Sequence, residues 1–470
     1  MRGFLASSIG VTCAAALALP LTLPSSGARA ATPAAPATGT AAEAVPGSTQ
    51  SLPLTPFGSD RSLGSAAARE QGLAQRDVRP FSLVGVVWDN PEAELHGTVQ
   101  VRTRATGTTT WSGWQDVETH NHEHAADPDT PERGTGTVRG STAPLWVGDS
   151  DGVEIRVRAE ADADAEAGAG AGVEVGADAY ANRAATEGPL PKGLRLELVD
   201  PGEEPPPQGG QAEAPRATAM TVESAATSAV NADLAPLGAA AIPELTKQQT
   251  EDDLIAVRGG LEAVGKARPY VGPRPRIITR KGWGADEKLR EKDFAYTKTV
   301  KAAFVHHSAS GNNYRCSQAG SVLRSIYRYH VKSSGWRDFG YNFAVDRCGN
   351  IYEGRAGGVA KPVLGAHTLG FNANSMGIAV LGTYSSSTPP KAAVNAVARL
   401  TAWKLGLYGA NPRGTTYLKS GGGNLYKKGE NVRLRVISGH RDGFATECPG
   451  SRLYKKLGKA RSTSARFQGR

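Results

Sequence analysis

Cysteine is scarce in this chain of 470 residues, which holds only Cys13, Cys316, Cys348 and Cys448. Cys13 lies in "MRGFLASSIGVTCAAALALPLTLPSSGARA", where Arg2 precedes an apolar run and Ala28-Arg29-Ala30 gives the small-x-small pattern of a signal-peptidase site. Loss of residues 1–30 as a signal peptide leaves three cysteines, and an odd number excludes complete pairing. Long apolar runs are missing as well. Pro20 and Pro24 interrupt the N-terminal one, which excludes a stable membrane span, since a spanning helix needs about 20 uninterrupted apolar residues. The expectation is a secreted, extracellular or wall-associated protein in an oxidising space, where cysteines become disulfides. No nucleic-acid reading motif is present, and with the export signal this argues against nucleic acid as a partner.

What is present is uneven. Residues 271–470 carry 34 Lys plus Arg against 10 Asp plus Glu, while the first 270 are net acidic. The basic half favours polyanions. Residues 31–79 read as a flexible N-terminal segment. Between 80 and 202, short alternating runs such as "FSLVGVVW", "TVQVRTRA", "APLWVGD" and "VEIRVRAE" predict an all-β accessory module. Its stretch 159–187, poor in bulky residues, reads as a low-complexity loop. Residues 203–273 turn to Pro, Gly, Ala and Gln and read as a linker with one helix near "LTKQQTEDDLIAV".

Cys316 and Cys348 flank one helix-strand unit and are natural partners, which leaves Cys448. A leftover thiol in an exported chain needs a reason such as a metal. His440 lies eight residues before it, and His with Cys suits zinc. A further candidate ends the apolar run "AAFV": of His306 and His307, neighbours on a strand, only one can face a given site. His120, His122 and His124 in "HNHEH" sit in a loop without a supporting cysteine or carboxylate frame and read as a solvated turn.

In order along the chain, "VHHSAS", "GWRDFGYNFAVDRCGNIYEGR", "LGAHTLGFNANSMGIAVLGTY" and "GHRDGFATECPG" resemble the zinc amidases of the N-acetylmuramoyl-L-alanine amidase type 2 family. The likeness is closer to their peptidoglycan recognition protein branch, in a bacterial secreted form, and spans roughly residues 274–460. It implies an α/β fold with a central mixed β-sheet flanked by helices. The implied Zn²⁺ ligands are His306, His440 and Cys448, and three protein ligands leave a fourth tetrahedral position open, as catalytic sites do. Tyr341 and Thr446 are implied at the reacting centre, with His367, Arg355 and Asn372 lining the substrate groove. Tryptophan often follows "YEGRG" in the family, whereas this chain reads "YEGRAGGVAKP", a departure on one side of the groove.

The resemblance implies a zinc-dependent N-acetylmuramoyl-L-alanine amidase acting on peptidoglycan, with anionic wall polymers as further partners. The alternative is a non-catalytic peptidoglycan-binding protein. "GSVLRSIYRYHVK" predicts a helix with His330 as a packing residue, "YNFAVDRCGNIYEG" a hairpin, and "SMGIAVLGTY" a further strand. "PPKAAVNAVARLTAWKLGL" predicts a helix entered through prolines. Residues 409–433 read as a mobile surface loop, and 461–470 as a basic tail.

Overall fold

The strand Ala302–His307 has all six residues buried, because sheet neighbours flank it, a helix covers the face of Ala303 and Val305, and Phe371 with Leu418, Val432 and Leu434 covers that of Ala302 and Phe304. It pairs in parallel with Ser375–Val380 on one side and Ile437–Gly439 on the other. Both faces of a parallel sheet must be covered, so its strands are apolar throughout rather than alternating. This computed structural model of the protein describes residues 47–57, 70–134, 136–160, 190–203, 220–257 and 269–470. The expected signal peptide and the low-complexity loop near 159–187 lie essentially outside these residues.

The mixed sheet has seven strands, in the order Ile437–Gly439, Ala302–His307, Ser375–Val380, Phe343–Val345, Ile351–Glu353, Ile277–Ile278 and Ala241–Ile242. Phe343–Val345 and Ile351–Glu353 form the antiparallel hairpin expected around "DRCGN". One face packs on helix Lys391–Leu407 through Val394, Val397 and Leu400, with Leu457 and Ala460 in the same cluster. The other face packs on helix Ala319–Arg328 through Val322, Leu323 and Ile326. Past Arg328 that helix loosens into a π turn, Tyr329–Ser333. His330 is buried there, stacked on Trp336, and its Nδ1 accepts the Gly340 N–H at 3.2 Å. Cys316 and Cys348 are bridged, and Cys448 is free and buried.

The second sheet is antiparallel and eight-stranded. Its main path runs Ser48–Pro53, Arg195–Asp200, Glu70–Trp88, Leu145–Ala159, Gly97–Ala105 and Gln115–Val117. Several expectations are corrected by this architecture. The segment 31–79 is not simply flexible: Ser48–Pro53 pairs with the closing strand Arg195–Asp200, and Glu70 already begins the long strand. The expected linker holds helices Val222–Ala229 and Lys247–Val257, and its Ala241–Ile242 adds an edge strand to the mixed sheet. The expected mobile loop folds as a hairpin, Thr415–Lys419 with Asn431–Arg435. Leu418, Val432 and Leu434 alternate inward from it onto Phe304 and Phe371, a period-two pattern that glycine and lysine content obscured. The basic tail belongs to helix Leu457–Gln468.

The described residues make one compact unit. Leu83, Val87, Trp146 and Val199 of the antiparallel sheet share a core with Val322, Ile326 and Tyr329. The Tyr329 hydroxyl is 3.2 Å from the Val86 carbonyl and 3.0 Å from that of Thr142. Gly85 permits this approach, because a Cβ there would lie 2.4 Å from the Tyr329 oxygen. No described helix is long and apolar enough to cross a membrane.

Candidate metal centre

His306 ends the central strand Ala302–His307, and its ring turns to the side opposite His307. Its Nδ1 is 3.7 Å from the Cys448 sulfur, and its Nε2 is 3.4 Å from the Thr368 hydroxyl. His307 points away and accepts the Tyr384 N–H on Nδ1 at 3.2 Å. His440 follows the neighbouring strand Ile437–Gly439 in a tight turn, held where the Asp442 carboxylate accepts the Gly439 N–H at 2.9 Å. Cys448 is set by Thr446, whose hydroxyl oxygen accepts the Cys448 N–H at 3.1 Å. Parallel pairing of two adjacent strands thus brings two histidines and the unpaired thiol to one sheet edge.

A fourth residue joins them. One donor atom from each of His124, His306, His440 and Cys448 lies within 4.8 Å of the other three, and all four residues are buried. The reading of "HNHEH" as a solvated turn is corrected for His124, which is buried beside the three expected donors. His124 comes from the 118–139 connection of the antiparallel sheet, and no local sequence pattern places it beside His306. A connection of that length without secondary structure is commonly functional, and this was the available signal.

The residues fit a zinc ion. Zinc legs of about 2.0–2.3 Å to nitrogen and sulfur give a tetrahedral edge of about 3.6 Å, close to the 3.7 Å between His306 Nδ1 and Cys448 Sγ. Neither ring nitrogen of His440 has a hydrogen-bond partner of ordinary geometry, although the residue is fully buried. Such orphaned groups are rare unless something else engages them. Burial holds the imidazoles of His306 and His440 well below the usual histidine range, and that of His124 at about 3. All three are therefore neutral at physiological pH, the form that ligates. Burial pushes the Cys448 thiol up, so a metal must displace its proton.

Around this group the remaining expected residues fall into two sets. The Tyr341 hydroxyl is 3.1 Å from His124 Nδ1, and its ring lies 5.2 Å from that of His306. Arg355 is tied to Tyr341 by its backbone N–H, 2.8 Å from the Tyr341 carbonyl, and its Nε donates to the Phe339 carbonyl at 2.8 Å. Asn372 accepts the N–H groups of His367 and Thr368 on its side-chain oxygen at 2.7 and 3.1 Å. His367 lies in the loop beside His306, fully buried, its ring 5.4 Å from that of His306 and its Nδ1 3.0 Å from the Thr368 hydroxyl.

Residues 296–451 match the N-acetylmuramoyl-L-alanine amidase family, and residues 33–179 match the Rv3811 N-terminal galactose-binding domain-like family. With the mixed sheet and its His–Cys edge, these matches define the class: an amidase-type domain carrying a galactose-binding-like β domain in front of it. The chain is 30% identical over 183 residues to peptidoglycan-recognition protein SC2 of Drosophila simulans, covering 38% of this chain and 84% of that protein. It is 34% identical over 197 residues to protein SC1a of Drosophila melanogaster, covering 42% and 92%. The solved structure of Drosophila PGRP-LB is 27% identical and covers 39% of this chain and 92% of that one, with a TM-score of 0.31. The chain belongs to the peptidoglycan-recognition protein family.

Proposed function

We propose that the protein is a secreted, zinc-dependent N-acetylmuramoyl-L-alanine amidase that cuts peptidoglycan between the lactyl group of N-acetylmuramic acid and L-alanine. The single observation that carries this reading is the convergence of His306, His440 and Cys448 at one strand edge beside Tyr341. A zinc ion held there would lower the pKa of a bound water to about 7 and polarise the scissile carbonyl. Hydrolysis breaks the amide C–N bond, adds hydroxyl to the lactyl carbon and returns a proton to the departing alanine nitrogen. The Tyr341 hydroxyl is the donor for the developing oxyanion. Burial first, then the nearby Cys448 and Glu123, push its pKa well up, so it stays protonated and able to donate. Thr446 fixes the Cys448 backbone. Arg355 offers a planar guanidinium that takes a carboxylate with two parallel bonds, and Asn372 offers an amide, chemistry suited to an acidic stem peptide. The basic half of the chain suits anionic wall polymers as a secondary partner.

Binding without cutting is a second reading, favoured by one observation. Four protein donors, with His124 among them, are the number found in structural zinc sites. The test is digestion of purified peptidoglycan by the zinc-loaded wild-type chain and by a His124→Ala, Glu132→Gln chain, with mass spectrometry of the products. Released stem peptides beginning with L-alanine support the amidase. Binding by both proteins with no new termini from either favours the recognition module.

A further inference from the structure

The residues expected to meet substrate are already engaged, and by one segment. Between Glu118 and Gly134 the antiparallel sheet sends a loop across the metal group and along the groove. The Glu123 carbonyl accepts the Leu369 N–H at 2.9 Å, and the Ala125 carbonyl accepts from the Asn372 side chain at 2.8 Å. The segment is a series of turns, yet its carbonyls meet the groove as those of a bound peptide would. The Glu123 carboxylate accepts from the Thr446 hydroxyl at 2.6 Å, and the Asp127 carboxylate accepts from the Asn372 amide at 2.7 Å and the Gly370 N–H at 2.8 Å. Glu132 takes both outer nitrogens of Arg355 at 2.8 Å each, and all of these atoms are buried. At the rim Asp129 pairs with Lys428 at 2.5 Å. His124 completes the run between the metal group and the Tyr341 hydroxyl.

We propose that residues 118–134 are an intramolecular plug, in which His124 supplies a fourth metal ligand and the acidic residues around it fill the peptide groove, so that the folded chain is a latent form. This rests on the amidase reading above, because it takes the same groove to be the substrate site. The occupant matches the chemistry of the substrate: a carboxylate-rich peptide segment lying over basic and amide side chains. A ligand must displace it, and apparent affinity falls by the fraction of chains that are open. Whatever draws the 118–139 connection away would activate the enzyme without altering the metal ligands His306, His440 and Cys448.

The test compares the full wild-type chain with a full His124→Ala, Asp127→Ala, Glu132→Ala chain. Zinc-stripped samples titrated with a soluble muramoyl tetrapeptide should show the variant binding at least about tenfold tighter, as expected when an occupant is removed. Cobalt(II)-loaded samples, read by visible absorption, should show acetohydroxamate shifting the variant's spectrum and leaving the wild type unchanged. Equal tetrapeptide affinities, or a wild-type spectrum that acetohydroxamate shifts as readily, would overturn the plug and leave the amidase reading standing. A variant that admits acetohydroxamate but binds no tetrapeptide would support the plug and sink the amidase reading. Tetrapeptide binding with hydrolysis abolished only in the variant would make the segment part of the catalytic unit, against the proposal. Should the variant not fold, hydrogen exchange of the wild type decides: amides 121–127 should exchange slowly alone and faster with saturating tetrapeptide. Protection unchanged with ligand bound would overturn the plug.

Discussion

The Tyr341 hydroxyl stands 3.1 Å from Nδ1 of His124, a contact between residues of the two sheets that bears on both ligation and chemistry. A metal-binding imidazole is oriented by the hydrogen bond its other nitrogen makes, and with a metal on Nε2 Tyr341 would give His124 that partner. The same hydroxyl is the oxyanion donor of the proposed reaction, and a hydroxyl that accepts from an imidazole N–H keeps its own proton to donate. In the His124→Ala chain, Tyr341→Phe should retain zinc and lose about 10²- to 10³-fold in turnover, the usual cost of one oxyanion donor. Steady-state rates with zinc content measured in parallel check this. Full activity with zinc bound would remove Tyr341 from the reacting centre.

Metal binding should depend on the thiol. His306 Nδ1 and Cys448 Sγ are separated by one tetrahedral edge, and serine offers neither the softness nor the reach of sulfur. Cys448→Ser should lose stoichiometric zinc after dialysis, whereas the wild type should hold one zinc per chain by plasma mass spectrometry. The bridged Cys316 and Cys348 should remain unreactive to thiol reagents in both proteins.

The Glu132–Arg355 pair sets a pH dependence of definite sign. Burial alone would raise the Glu132 carboxyl, but the Arg355 guanidinium outweighs it and holds the group below its ordinary value of 4.5. A carboxyl lowered in the folded state contributes fully above its unfolded pKa and loses that contribution as pH falls through the folded one. Removing one member of a buried pair typically costs about 3–5 kcal/mol. Urea denaturation should therefore show Glu132→Gln less stable than wild type by an amount constant between pH 7 and 5. That difference should shrink below pH 4.5. Burial raises Asp127 and Glu123 instead, with the opposite sign, but both remain in the two proteins and cancel in the difference. A gap that stays the same down to pH 3 would place the stabilising charge elsewhere.

The two sheets should unfold together. A side chain at Gly85 would meet the buried phenol of Tyr329, with the nearest atom at 2.4 Å from its Cβ, and overpacking of this kind costs about 1–3 kcal/mol. Gly85→Val should lower the melting temperature of the whole chain in a single calorimetric transition. A fragment beginning at residue 270 would lose edge strand Ala241–Ile242 and expose the face of Ile326 and Tyr329. It should aggregate or fold poorly by circular dichroism, contrary to the separable catalytic fragment that the charge split and the expected linker imply. Two separate transitions in the wild type would contradict the shared core.

His306 and His440 were legible in the sequence because they lie at a strand end and in the tight turn directly after one, and Cys448 because it is the cysteine without a partner. The apolar run before His306 marked the strand, and the odd cysteine marked the candidate metal site. His124 was not legible, since its role depends on a loop of one sheet reaching over the edge of another, and "HNHEH" has no periodicity to announce it. The hairpin at 415–435 escaped for a related reason. Its buried apolar positions are only Leu418, Val432 and Leu434, too few against the glycines and lysines between them. Burial of His367 beside His306 followed from packing on Phe304, which no motif encodes.

Hydrolysis of the lactyl–alanine amide is tested most directly by digesting purified peptidoglycan in water enriched in ¹⁸O, using the zinc-loaded His124→Ala, Glu132→Gln chain, and locating the label by mass spectrometry. The predicted result is one ¹⁸O in the lactyl carboxylate of the muramic acid, with unlabelled stem peptides that begin at L-alanine. Label in the glycan linkage or at a bond inside the stem peptide, or no label in polymer that the protein demonstrably binds, would contradict it.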